Sequence, residues 1–163
     1  MSRAFVKEPD GDEIVDQPPE RLHSDLPNYI THGGLVSLQE EINRIQDQIS
    51  EWNRTDTADF RSKIAVARRD LRFFEERLRR AIPVEPPDTP EEVVFGVTVR
   101  LEDEDENEYR FTLVGEDETD VESGRVCWAA PIAKLLIGRQ VGDEIIWPRG
   151  DTRLTLEIVE IFL

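Results

Sequence analysis

Two runs of apolar residues at alternating steps of three and four, separated by a short polar turn, constrain this chain more than any other feature. In the first run Leu35, Leu38, Ile42, Ile45, Ile49 and Trp52 form a heptad seam along one helix. In the second, Phe60, Ile64, Ala67, Leu71, Phe74, Leu78 and Ala81 repeat the pattern. The segment between them, Asn53-Arg54-Thr55-Asp56-Thr57-Ala58, is short enough that the second helix must fold back on the first. The expected product is an antiparallel hairpin whose first helix, at about 1.5 Å per residue, is roughly 27 Å long. Thr31 stands where an N-cap belongs. No third helical period of similar length follows to cover the pair, so a projecting arm is expected rather than a bundle.

The flanking segments have a different character. Residues 1–28 hold Pro9, Pro18, Pro19 and Pro27 among acids with no sustained apolar period, and read as a flexible acidic tail. The arm occupies 29–82, and Pro83, Pro86, Pro87 and Pro90 mark a semi-rigid linker over 83–92. From 93 to 163 the pattern turns to strands. Val93–Leu101 is β-branched and apolar, and Tyr109–Val114 alternates cleanly after an acidic turn over Glu102–Glu108. Arg125–Trp128 adds a third strand. Pro131–Ile137 reads as a short helix with proline in its first turn and Gly138 at its end. Glu144–Trp147 and Leu154–Ile161 pair through Arg149-Gly150-Asp151-Thr152. The fold class is α+β: an N-terminal helical hairpin followed by a small antiparallel β domain carrying one helix, with Phe95, Phe111, Trp128 and Trp147 as core aromatics.

Charge and composition exclude several classes of function. The formal net charge is −16, from 20 basic and 36 acidic residues, which disfavours free DNA binding by the molecule as a whole. The imbalance is local: residues 31–82 carry 10 bases and 9 acids, whereas 83–163 carry 7 and 20. Cys127 is the single cysteine, so no internal disulfide forms, and with His23 and His32 it makes no zinc constellation. The acidic run from Glu102 to Glu108 lacks the glycine and distant glutamate of a calcium loop. The expectation is a monomer with no membrane span, no metal or cofactor of its own and no enzyme site, in a reducing cytoplasm.

Several segments, in order, resemble the GreA/GreB transcription elongation factors across residues 29–163. Tyr29-Ile30-Thr31-His32-Gly33-Gly34-Leu35 with Leu38-Gln39-Glu40-Glu41-Ile42 is similar to the family's opening I-T-x-x-G and L-x-x-E-L helix. Phe95–Val99, Leu113–Glu118 and Pro131–Gly138 running into Val141-Gly142-Asp143 follow the family's order and spacing. The resemblance implies an FKBP-like C-terminal domain that docks on RNA polymerase, with Pro131, Ile132 and Leu135 as docking candidates. It also implies an arm that enters the secondary channel and stimulates the polymerase's own cleavage of backtracked transcript. Tip carboxylates would there help hold a second Mg2+ of the polymerase, and basic residues of the arm would lie near the nascent RNA.

Asp56 and Asp59 keep the spacing of the family's tip acids, but the surrounding G-D-L-x-E-N-A-E-Y signature is replaced by Arg54-Thr55-Asp56-Thr57-Ala58-Asp59-Phe60. Both helices are shorter than the family's by about a heptad, a loss of reach of roughly 10 Å, and Ala130 replaces a usual serine. Helix capping by Asp56, with Asp59 complementing the helix dipole, accounts for the same two residues. Arg61, Lys63 and Arg68 are the candidates for the RNA-proximal face. Ion pairing of the second helix's bases with Glu40, Glu41, Asp47 and Glu51 across the seam is the structural alternative. Three other functions stay open: a channel-occupying regulator without cleavage, an FKBP-like prolyl isomerase or chaperone, and a coiled-coil dimer.

Overall fold

The computed structural model describes residues 17–55 and 58–163. The arm consists of α1 (His32–Thr55) and α2 (Ala58–Arg79), preceded by a two-residue strand β1 (Tyr29–Ile30) and followed by β2 (Ile82–Pro83). The 24 residues of α1 span about 36 Å, more than the seam alone indicates, because the helix starts directly after its cap. The Thr31 hydroxyl accepts the Gly34 N–H at 3.0 Å, and the Thr31 carbonyl accepts the Leu35 N–H at 2.9 Å. Leu38, Ile42, Ile45 and Ala67 are buried between the helices. Toward the far end Ile49, Trp52, Phe60 and Ile64 are only half-buried, and Trp52 stacks on Phe60 with centroids 6.0 Å apart.

Among the described residues, the ion pairs of Lys63, Arg69, Arg79 and Arg80 run along α2 and not across the seam to Glu40, Glu41, Asp47 or Glu51. Arg44 pairs with Glu41 on α1 itself, Arg69 with Asp70, and Arg79 and Arg80 with Glu76. Partners along the same helix lie nearer than those across an apolar seam. Two guanidinium groups, Arg79 first, hold the Glu76 carboxyl down to about 2. Because the folded-state value is depressed, the stabilisation from this cluster is fully present above the usual carboxylate range and is lost as pH falls toward 2. In a carbon-detected NMR titration Glu76 should titrate near the bottom of the accessible range in the wild type. It should return toward an ordinary carboxylate in Arg79→Ala/Arg80→Ala; an unchanged midpoint would refute the pairing.

The C-terminal part is one curled five-stranded sheet. It comprises β3 (Thr98–Glu102), β4 (Glu108–Val114), β5 (Arg125–Cys127), β6 (Glu144–Arg149) and β7 (Thr152–Phe162), in the spatial order β5-β4-β3-β7-β6. The sheet is mixed rather than antiparallel: β5 runs parallel to β4, with Leu113 opposite Val126. The path between them turns through Glu116–Glu118 and an Asp120–Arg125 bridge, so β5 returns in the same direction instead of closing a hairpin. β3 begins five residues later than the apolar run does, because Gly96 turns the chain at φ +90° and Val93 instead exchanges backbone bonds with Gly138 and Arg139. Pro148 lies on edge strand β6, where its missing N–H costs the ladder least.

The core is formed by Val97, just before β3, and Val99, Leu101, Leu113, Leu156 and Ile158 of the sheet, closed by Ile132, Ala133 and Leu136 of α3 (Pro131–Leu136). Phe111 and Trp147 pack against it edge to face at 5.5 Å. Trp128 instead meets Tyr29, at 5.0 Å, as does Phe95 at 6.1 Å. Ala130 is the N-cap of α3 and provides no side-chain acceptor, so this helix relies on its proline and on packing.

The arm joins the sheet through a buried polar junction. Arg77, with its side chain 3% exposed, donates from Nε to Asp117 at 2.7 Å and from Nη2 to Asn28 at 2.6 Å and Glu116 at 3.3 Å. Asn28 returns a bond to the Arg77 carbonyl. On the other side of the junction, the Glu118 carboxylate accepts from the Thr31 N–H and hydroxyl, the Gly115 N–H and Arg125. β1 pairs in parallel with β2, tying the start of the arm to its end, and the Val84 N–H bonds Ile30 at 3.0 Å. The first residues of the proline segment are thereby attached to the base of the arm.

Candidate functional site

Two surfaces of the arm bear the side chains that the sequence singles out. At its far end Asp59 sits in the first turn of α2, three-quarters exposed, and accepts a bond from Lys63 Nζ at 2.7 Å. An i,i+4 pair of this kind satisfies the carboxylate locally. It also occupies Lys63, one of the RNA-proximal candidates, whose ammonium lies 5.3 Å from the Phe60 ring centroid. Asp56 lies outside the described residues. Among the described residues no group of three His, Cys, Asp or Glu side chains is disposed to hold a metal ion.

The second surface is a groove of about 400 Å³ along α2, lined by Arg61, Arg68 and Arg72 together with Asn53, Gln17 and Pro18. Arg61 and Arg68 fall on one face, about two turns apart; Lys63 does not line this groove. Arg68 is exposed, whereas Arg72 pairs with Glu20.

Glu20 belongs to a segment that sequence reasoning assigned to a flexible tail. Residues 17–28 instead lie along the arm. The Arg21 guanidinium sits 3.8 Å from the Phe73 centroid and pairs with Asp70 at 3.5 Å, and the His23 ring stacks on Phe73 at 4.8 Å and 4°. The missed signal was the set of planar and charged side chains Glu20, Arg21 and His23. They gain partners only once Asp70, Arg72 and Phe73 are presented together by a helix. Residues 1–16 lie outside the described residues.

In the sheet domain the three docking candidates separate. Pro131 is exposed, Leu135 is half-buried against the core, and Ile132 is 7% exposed and part of the core. Ile132 is therefore corrected to a packing residue, because it lies on the inward face of α3 with Ala133 and Leu136. Cys127 is half-buried and free. No described helix is long and apolar enough to cross a membrane.

Comparison with known proteins adds the family context. The model for the C-terminal region of the GreA/GreB transcription elongation factors matches residues 87–162. Transcription elongation factor GreB of Neisseria meningitidis serogroup B is 28% identical over 157 residues, with 86% of this chain and 96% of that protein covered. Transcription elongation factor GreA of Agrobacterium fabrum is 34% identical over 133 residues, covering 71% of this chain and 84% of that one. Among solved structures, the GreA/GreB elongation factor from Nitrosomonas europaea aligns over 83% of this chain and 98% of its own, with 27% identity and a TM-score of 0.43.

Proposed function

The chain belongs to the GreA/GreB family of transcription elongation factors, and from that premise we propose that it binds RNA polymerase, places its helical arm in the secondary channel and stimulates cleavage of backtracked transcript. The observation that carries this reading is an arm of about 36 Å bearing an exposed carboxylate, Asp59, in the first turn after its tip. Cleavage by the polymerase needs oxygen ligands for a second Mg2+ at the end of a thin, stiff projection. Asp56 and Asp59 are the residues of this chain assigned to that role. The protein itself has no nucleolytic site in this account; it acts in the cytoplasm, as a monomer, on the enzyme that synthesises the RNA.

One observation favours a second reading. Lys63 holds Asp59 at 2.7 Å, so an approaching metal ion must displace an ammonium already in place. An arm in this state occupies the channel and slows backtracking without promoting cleavage.

The two readings separate in one experiment. Stalled, backtracked polymerase complexes with a labelled transcript and Mg2+ are mixed with wild type, Asp56→Ala/Asp59→Ala or Lys63→Ala. For a cleavage factor, the double variant loses at least about 100-fold in cleavage rate while still binding, the scale expected when charge stabilisation at the reacting centre is removed. Lys63→Ala, which frees Asp59, then cleaves at least as fast as wild type. Binding without cleavage by the wild type and the double variant, with cleavage gained in Lys63→Ala, selects the channel-occupying reading, and failure of the wild type to bind polymerase overturns both.

A further inference from the structure

Residues 17–28 place on the face of α2 the same chemical groups that a single-stranded nucleic acid would bring there. A planar ring, His23, is stacked in parallel on Phe73 at 4.8 Å and 4°, as a base stacks on an aromatic platform. A carboxylate, Glu20, pairs with Arg72, as a phosphate does with a guanidinium. Gln17 and Pro18 continue into the groove that holds Arg61 and Arg68. We propose that this segment is a built-in competitor for RNA: it covers the basic and aromatic face of the arm and is displaced when single-stranded transcript is presented at high local concentration. The proposal rests on the assignment of this face to the neighbourhood of the transcript, and adds that the face is masked in the free protein.

The segment is held in a way that permits displacement. Among the described residues no backbone hydrogen bond joins 17–27 to the helices of the arm. The anchors are side chains: Glu20 to Arg72, Arg21 to Asp70 and over Phe73, and His23 on Phe73. The Glu20–Arg72 pair is more than half exposed, at 63% and 55%, and the Arg21–Asp70 pair partly so, at 40% and 26%; exposed pairs contribute little and weaken with salt. His23 Nδ1 is buried without a hydrogen-bond partner among the described residues, so stacking holds the ring against an unsatisfied polar atom. Leu22, between the anchors, is 94% exposed and adds no apolar burial. By contrast Asn28, where the segment ends, is buried and bonded to Arg77, so the segment is released from a fixed hinge without disturbing the junction.

The test exchanges two charges. In full-length Glu20→Arg/Arg21→Glu the new arginine faces Arg72 and the new glutamate faces Asp70, while the net charge of the protein is unchanged. Any gain in RNA affinity therefore cannot come from global electrostatics. Binding of a fluorescein-labelled oligouridylate is followed by anisotropy at about 50 mM salt and over a salt series, and detachment of residues 17–27 is read from their 15N heteronuclear NOE. The expected result is a mobile segment and affinity about tenfold higher than wild type. Its log–log salt dependence should be steeper by about 0.7 for each additional phosphate contact. Adding Arg68→Glu/Arg72→Glu should abolish the gain.

Equal RNA affinity with the segment detached overturns the proposal, as does a gain that survives Arg68→Glu/Arg72→Glu. If the segment stays docked even after His23→Ala is added, the contacts named here are not its anchors, and the proposal also falls. No polymerase is present in this assay, so failure here leaves the cleavage experiment untouched, and failure of polymerase binding there leaves this one interpretable.

Discussion

Arg77→Ala is expected to lower the free energy of unfolding by about 2–3 kcal/mol and to loosen the arm from the sheet. The guanidinium is 3% exposed and spans Asp117, Glu116 and Asn28. Its removal leaves the Asn28 amide oxygen buried and two carboxylates facing each other without a cation. Breaking a fully buried pair costs about 3–5 kcal/mol. Asp117 is a quarter exposed and Glu116 more than a third, so water recovers part of that loss and the lower figure applies. Arg77→Lys is expected to rescue little. A single ammonium on a flexible stem cannot reproduce a fork that donates from Nε to one element and from Nη2 to another. Urea unfolding followed by circular dichroism measures this as a lower midpoint with an unchanged slope; a midpoint equal to wild type would show that the junction does not depend on Arg77.

Gly115→Ala should have an effect of similar size by a different route. Gly115 lies at φ −67° and ψ 165°, a conformation open to any residue, so glycine is not needed here for backbone freedom. What requires it is proximity: a Cβ at this position would lie 2.3 Å from the Tyr29 carbonyl oxygen and 2.9 Å from Glu118 Oε2. The first of these is backbone and cannot rotate aside. To admit a methyl group β1 must move away from Gly115, and the bonds from Glu118 to Thr31 and to Gly115 itself are stretched with it. Overpacking of this kind costs about 1–3 kcal/mol.

The methyl group should also change the angle between arm and sheet, because Thr31 is both the cap of α1 and a donor to Glu118. Small-angle scattering checks the angle, since an arm of about 36 Å moves enough mass to alter the profile when its base tilts. Gly138→Ala is the control: it has nothing within 4 Å of the added atom but a φ of +80°. Its cost of about 1 kcal/mol should leave the profile unchanged. Identical profiles and stabilities for Gly115→Ala and wild type would remove the steric argument.

These two residues show where sequence reasoning stopped. Arg77 looked like one more base on a basic helix, alongside Arg69, Arg72, Arg79 and Arg80. Its distinction comes from Asn28, 49 positions earlier, and Asp117, 40 positions later, and nothing in its own neighbourhood announces them. The same holds for β5: the run Arg125–Trp128 is visibly a strand, but its parallel pairing with β4 depends on how the chain travels between the two. Glu20, Arg21 and His23 carry no apolar period at all, and their order comes from a surface that exists only after α2 has formed. At the tip, spacing identified Asp59 as a carboxylate near the turn, whereas its pairing with Lys63 was a matter of which rotamers meet along the helix.

What the sequence determined by itself was everything written in local periodicity and turn chemistry. The two heptad seams required a hairpin, because a helix with one apolar stripe must bury it and the nearest partner lay one short turn away. Thr31 set the start of α1, proline and glycine bracketed α3, and Gly150 set the turn between β6 and β7. The tertiary structure alone decided the attachment of arm to sheet, the sense of β5 and the docking of residues 17–28. The sense of β5 follows from the turn the chain makes before it; the other two depend on polar groups far apart in the chain that have no partner until the apolar elements have packed and brought them within hydrogen-bonding distance.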